Sequence, residues 1–204
     1  LPMMANCLRR GLDEQGSSAA HIVGHPLGGK VAMQLALQCP TRVRSLLVAD
    51  IAPVQYAAHH ELVFEALEAV LAGRCASREE AARLLASYLQ EEAVIQFLLS
   101  SLQRSSEGIV RWRFDLAVIK DAYPALLAAP VAGQSYAGPV LFIKGGASDY
   151  IQAQHWPAIQ ALFPAASIRV MPGCGHWLHV EKPQQFNGIV TRFLKLCEPL
   201  KLAS

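Results

Sequence analysis

Ala19-Ala20-His21-Ile22-Val23-Gly24-His25-Pro26-Leu27-Gly28-Gly29-Lys30 is the stretch whose reading decides the fold. Its apolar run, Ala19 to Val23, stops at a glycine, as a buried parallel strand does. The segment from Pro26 to Gln38 predicts the helix that follows, ending at Gln38-Cys39 before Pro40. Gly24, Gly28 and Gly29 are explained by a tight turn that needs residues without bulk. Pro26 suits the first turn of a helix, yet it has no hydroxyl and its ring fixes φ at about −65°.

Working outward, Val43 to Ala49 (VRSLLVA) reads as a second buried strand, ending at Asp50. Strand, turn, helix and strand in this order make a βαβ unit, whose chemistry belongs at the carboxyl ends of the strands. Upstream, Met3 to Leu12 has helix-forming composition and Asp13 to Ser18 is a polar break. From His59 to about Tyr123 the pattern changes to amphipathic helices with no strand signal: Glu61 to Leu71, Arg78 to Leu89 and Glu91 to Leu102. That block reads as a helical cap inserted between strands. Beyond it, Pro139 to Ile143 is a third buried strand and Ser167 to Met171 a fourth, with a helix from about Ile151 to Leu162 between them. A last helix starts at Pro183 and runs to about Leu196. The expected organisation is a core of residues 1–56 and 130–204 and a cap of residues 57–129.

Composition bounds the function. A chain of 204 residues that is 52% hydrophobic buries a good-sized core, enough for one domain with an inserted lobe. Its 18 basic and 16 acidic residues are scattered without long runs, which argues against nucleic acid or an anionic membrane as partner. A small neutral or mildly polar ligand fits better. Cys7, Cys39, Cys75, Cys174 and Cys197 form no C-x-x-C and no cluster at metal-ligand spacing, and read as reduced thiols of a cytosolic-type compartment. No apolar run reaches the ~18 residues of a spanning helix, and Leu1-Pro2-Met3-Met4 lacks the order of a signal peptide. The expectation is a cytoplasmic protein.

Six motifs in order carry a family resemblance: His21-Ile22-Val23-Gly24-His25-x-Leu27-Gly28-Gly29-Lys30, Val48-Ala49-Asp50-Ile51-Ala52-Pro53-Val54, Val94-Ile95-Gln96-Phe97-Leu98-Leu99, Arg111-Trp112-Arg113-Phe114, Phe142-Ile143-Lys144-Gly145-Gly146, and Gly173-x-Gly175-His176-Trp177. With them the chain resembles an α/β-hydrolase, and closely the small bacterial esterases related to the mitochondrial abhydrolase-domain proteins. The resemblance implies hydrolysis of carboxylic esters or acyl thioesters through a serine acyl-enzyme, without cofactor or metal. Two departures stand out. The middle position of the G-x-S-x-G elbow, which carries the nucleophile at a strained positive φ, is Pro26. The family also places strands, and a loop donating half of the oxyanion hole, before the nucleophile strand, whereas about twenty residues precede it here. The expectation is thus a chain lacking its first strands, whose bare strand edge invites self-association.

The resemblance assigns His176, in a glycine-flanked turn after the last strand, as general base; the alternative is a structural histidine. For the carboxylate there are two candidates. Asp50 matches the acid of the esterase subgroup and is favoured, though a turn-forming Asp is its plainer reading. Asp149 follows the next strand, where the wider superfamily places its acid, but with Gln152 it also reads as a capping box. The Leu27 N–H would be the oxyanion donor. His25 reads as structural, His155 and His179 lack motif support, Cys174 is off the elbow, and Ser148 belongs to a turn. Tyr88, Phe97, Trp112 and Phe114 are candidates for an acyl pocket, with cap core as the alternative. The expected function is an esterase-family protein inactive at Pro26; the alternatives are a non-catalytic binding or assembly protein and a His–Asp enzyme without a serine.

Overall fold

The computed structural model describes residues 1–131 and 133–198. The chain divides into two compact units, one of Leu1–Gln55 with the residues from Ala128 onward, the other of Tyr56–Leu127. The first begins with helix α1 (Pro2–Glu14), strand β1 (Ala20–Gly24), helix α2 (Leu27–Gln38) and strand β2 (Val43–Ala49). The second holds α3 (Glu61–Ala72), α4 (Arg78–Ala86), α5 (Glu92–Leu99), β3 (Leu102–Arg104), β4 (Val110–Trp112) and α6 (Leu116–Leu127). The first then resumes with β5 (Val140–Gly145), α7 (Trp156–Leu162), β6 (Ala166–Met171), α8 (Leu178–Glu181) and α9 (Pro183–Cys197).

Strands β1, β2, β5 and β6 form one parallel sheet in the order β1-β2-β5-β6. The two central strands carry continuous apolar stretches, Leu46–Ala49 and Val140–Ile143, because both of their faces are covered. Leu46, Leu47, Val48 and Ala49 of β2 and Phe142 and Ile143 of β5 are fully buried. Each of the Leu, Val, Phe and Ile side chains among them contributes about 1.5–3 kcal/mol of burial. Met33, Leu35 and Ala36 of α2 are fully buried in this unit as well. Leu47, Ala49, Leu141 and Ile143 pack with Met171, Cys174 and Leu178, and Phe186, Ile189, Val190 and Phe193 of α9 lie against that cluster.

Both outer strands are less buried than their apolar runs suggest. Val23 of β1 is 46% exposed and Val170 of β6 is 47% exposed; of β6, only Met171 is buried. Composition marks such a run as a strand, but its burial depends on its place in the sheet, and both are edges. The helix expected from Ile151 begins later, as a 3-10 turn at Ala153–His155 followed by α7. The capping box is made by Gln152 and His155, not Asp149 and Gln152; Asp149 contributes only its carbonyl, which accepts from Gln152 Nε2 at 3.0 Å.

The segment returning from the second unit is held on α2. The buried Lys30 donates from Nζ to the Ala128 carbonyl at 2.8 Å, and the fully buried Gln34 bonds Val131 twice, donating at 2.9 Å and accepting at 2.8 Å.

In the second unit α4 starts where its sequence says, with Ser77 accepting from the Glu80 N–H and Glu80 accepting from the Ala76 N–H. Leu67, Val70, Leu85, Ile95, Leu99 and Trp112 are among its core residues, and Trp112 Nε1 donates to the Leu67 carbonyl at 3.1 Å. The expectation of helices without strands is corrected here: α5 ends at Leu99, and β3 and β4 pair as an antiparallel hairpin with Gly108 at a φ of 79°. Three-residue strands are too short to display the alternation by which strands are read.

Candidate active site

The site lies at the carboxyl ends of β1, β2 and β5. β1 stops at Gly24, where an added Cβ would sit 2.4 Å from the Gly28 carbonyl carbon and oxygen. Only glycine lets the strand and the first turn of α2 approach so closely. Pro26 follows at φ −68° and ψ −46°, a helical conformation, and caps α2 with its carbonyl accepting from the Lys30 N–H at 3.0 Å. The turn is built, but without the positive φ of a nucleophile elbow, because the pyrrolidine ring forbids it. Leu27 opens α2, and an amide in the first turn of a helix has no carbonyl partner within it.

Asp50 extends β2 by one bond, its N–H donating to the Ile143 carbonyl at 2.8 Å. Its φ of 49° then turns the chain out of the sheet. Such a conformation is strained for a residue with a Cβ, although Asp tolerates it better than most. The side chain is fully buried and its carboxylate is saturated with donors. Oδ1 accepts from the Gly145 N–H at 2.8 Å; Oδ2 accepts from His176 Nδ1 at 2.8 Å and from the Ser148 hydroxyl. A buried carboxylate needs such partners to stay in place. Asp149, the other candidate acid, is exposed and is not the carboxylate bonded to His176. Ser148 is the residue that sequence reasoning passed over. It lies 98 positions from Asp50, and no spacing links them.

His176 sits on the loop after β6, in which Gly173 has a φ of 65° and Gly175 comes so close to β5 that a Cβ on Gly145 would meet its carbonyl at 2.3 Å. Several bonds brace this loop. The Ala147 N–H donates to the Cys174 carbonyl at 2.8 Å, the Gly175 N–H to Glu181 Oε2 at 2.8 Å, and Lys182 Nζ to the Pro172 carbonyl at 2.6 Å. Tyr150 stacks on the imidazole, with ring centroids 4.0 Å apart and planes at 22°. With Nδ1 committed to Asp50, Nε2 is the ring nitrogen left to exchange a proton.

His25, next to Pro26, donates from Nε2 to the His176 carbonyl at 2.8 Å, and its ring lies 4.7 Å from those of His176 and His179. Burial pushes its pKa down to about 4, with the nearby histidines adding to the effect and the bond to the carbonyl opposing it. Unfolded, the same residue titrates near its ordinary 6.5. Between the two values the unfolded chain binds the extra proton, so His25 withdraws stability as pH falls from about 6.5 to 4. The expected loss is about 2–3 kcal/mol by pH 4, and urea unfolding of the parent beside His25→Gln, which lacks the titration, checks it.

The remaining candidates have other local roles or surroundings. His155 caps the 3-10 turn before α7, Cys174 is fully buried in the apolar cluster behind β5, and Trp112 and Phe114 stack in the second unit at 5.6 Å. Phe97 and Tyr88 are exposed. Among the described residues no group of three or more His, Cys, Asp or Glu side chains is arranged to hold a metal ion, and no helix is long and apolar enough to cross a membrane.

A parallel sheet whose strand ends bring together a strand-to-helix turn, a buried carboxylate and an imidazole is the framework of an α/β-hydrolase. The chain belongs to that family: the model of the alpha/beta hydrolase family matches residues 5–189. Esterase YbfF of Escherichia coli is 37% identical over 194 residues, which are 95% of this chain and 74% of that protein. The sn-1-specific diacylglycerol lipase ABHD11 of Mus musculus is 37% identical over 197 residues, 94% of this chain and 64% of that protein. Among solved structures, a marine microorganism esterase superposes with a TM-score of 0.90 at 31% identity, covering 94% of this chain and 76% of its own. The chain thus spans roughly two thirds to three quarters of the length of these relatives.

Proposed function

We propose that this protein binds a small acyl ester or thioester at the strand ends of an esterase framework, with Asp50 and His176 as the acid and general base of a Ser-His-Asp mechanism, but forms no acyl-enzyme. Pro26 carries the proposal, because at φ −68° it offers neither a hydroxyl nor the elbow conformation. The intact Asp50–His176 bond, at 2.8 Å, favours a second, weaker activity in which His176 Nε2 takes a proton from a water that attacks the ester directly. Loss of the nucleophile costs about 10⁶ in turnover in a serine hydrolase, so this route is slow. A fluorophosphonate probe is expected to leave the purified chain unlabelled, while hydrolysis of an activated ester falls to the uncatalysed rate in His176→Ala. A covalent adduct on the unaltered chain would overturn the proposal; equal rates in parent and variant would leave a binding protein and remove the water route.

A further inference from the structure

We propose that His25 is a positioning residue: its imidazole ties the loop that carries His176 to the turn that opens α2, by donating a hydrogen bond to the backbone carbonyl of His176 itself. The inference rests on the reading of His176 as the base. The bond spans 151 positions at 2.8 Å and joins two short segments that share no strand or helix. A carbonyl only accepts, so His25 must hold its proton on Nε2, with Nδ1 as the lone-pair nitrogen. A neutral donor suits this place. The His25 ring lies 4.7 Å from the His176 ring, where a fixed positive charge would oppose protonation of the base.

The His176 loop needs such a tie. The braces already described act at Pro172, Cys174 and Gly175; at His176 itself Asp50 and Tyr150 hold the side chain, and His25 holds the backbone carbonyl. With His25 on its carbonyl, the residue is fixed at both ends, and the fixed point is referred to the turn where a nucleophile belongs. A misplacement of about 1 Å between nucleophile and base costs on the order of 10² in rate, which is the scale of effect at stake. A hydrophobic residue of equal volume would fill the space and leave the His176 carbonyl without this donor.

Histidine-selective ¹⁵N NMR on the unaltered 204-residue chain gives the first test: His25 is expected as the Nε2–H tautomer from pH 6 to 9, and a proton on Nδ1 would overturn the tie. Two variants follow. His25→Phe keeps the ring and removes the donor; it is expected to move and broaden the His176 Nδ1 proton signal. His25→Gln, whose amide nitrogen occupies the place of Nε2, is expected to leave that signal as in the parent. In a Pro26→Ser background, His25→Phe should lower kcat by on the order of 10² with little change in KM, and His25→Gln by less than about threefold. Unchanged His176 signals in His25→Phe beside a lowered Tm would make the role merely structural, and failure of His25→Gln to rescue would rule out donation. An inert Pro26→Ser protein whose His176 signals still respond to His25 supports the tie and overturns the base reading instead.

Discussion

Pro26→Ser is expected to acquire a covalent acyl-enzyme and to hydrolyse an activated ester at least about 10³ times faster than the parent. The full cost of a missing nucleophile is about 10⁶, and an oxyanion donor is worth about 10²–10³, so a gain of about 10³ is expected even from the nucleophile alone. The rest of the proposed machinery is in place: Asp50 bonds His176 Nδ1 at 2.8 Å, and the glycines still bring β1 and α2 together. The gain has a structural cost. Serine must leave the helical conformation that Pro26 holds at φ −68° for a strained positive φ, worth about 1–3 kcal/mol, and the unfolded chain gains freedom worth up to about 1 kcal/mol. A lower Tm should therefore accompany the activity. Mass spectrometry after fluorophosphonate treatment gives the decisive reading: label on residue 26 in the variant alone. An unlabelled variant that melts like a folded protein would mean that Asp50 and His176 are not aligned on this turn.

Gly24→Ala is expected to destabilise the first unit strongly. The new Cβ would lie 2.4 Å from the backbone of Gly28 and 2.5 Å from the Gly29 nitrogen, and backbone cannot swing aside as a side chain does. Relief requires α2 to move away from β1, disturbing a helix whose residues 29–37 are all buried. A loss of at least about 3 kcal/mol follows, a large share of the roughly 5–15 kcal/mol that hold such a domain. Gly28→Ala supplies the control, since a Cβ there meets nothing within 4 Å and alanine favours the helix by up to about 1 kcal/mol. Urea unfolding of the two variants side by side should show opposite signs; similar midpoints would mean that the turn is looser than its geometry.

Local elements were legible where one periodicity ruled without competition. β2 matches its predicted bounds, Val43 to Ala49, because both faces of a central strand are covered and all but Arg44 of its residues are buried. The hairpin of β3 and β4 was hidden because three residues hold too little of a pattern, and the exposure of β1 and β6 because edges are a property of the sheet. At the site, Asp50 and Asp149 each follow the end of a strand, and nothing along the chain ranks them geometrically. Ser148 looked like a turn residue, since its bond to Asp50 exists only once β2 and β5 lie side by side.

From the sequence alone came the strand-to-helix turn at Gly24, the loss of the hydroxyl at residue 26, and the family that the six motifs resemble, because each depends on residue identity or on neighbours a few positions away. Tertiary structure decided which carboxylate meets His176, that Ser148 shares its oxygen, and that His25 holds the loop of His176. These are contacts between residues 98 to 151 positions apart, and they follow from the order in which parallel strands pack, which short-range pattern does not encode.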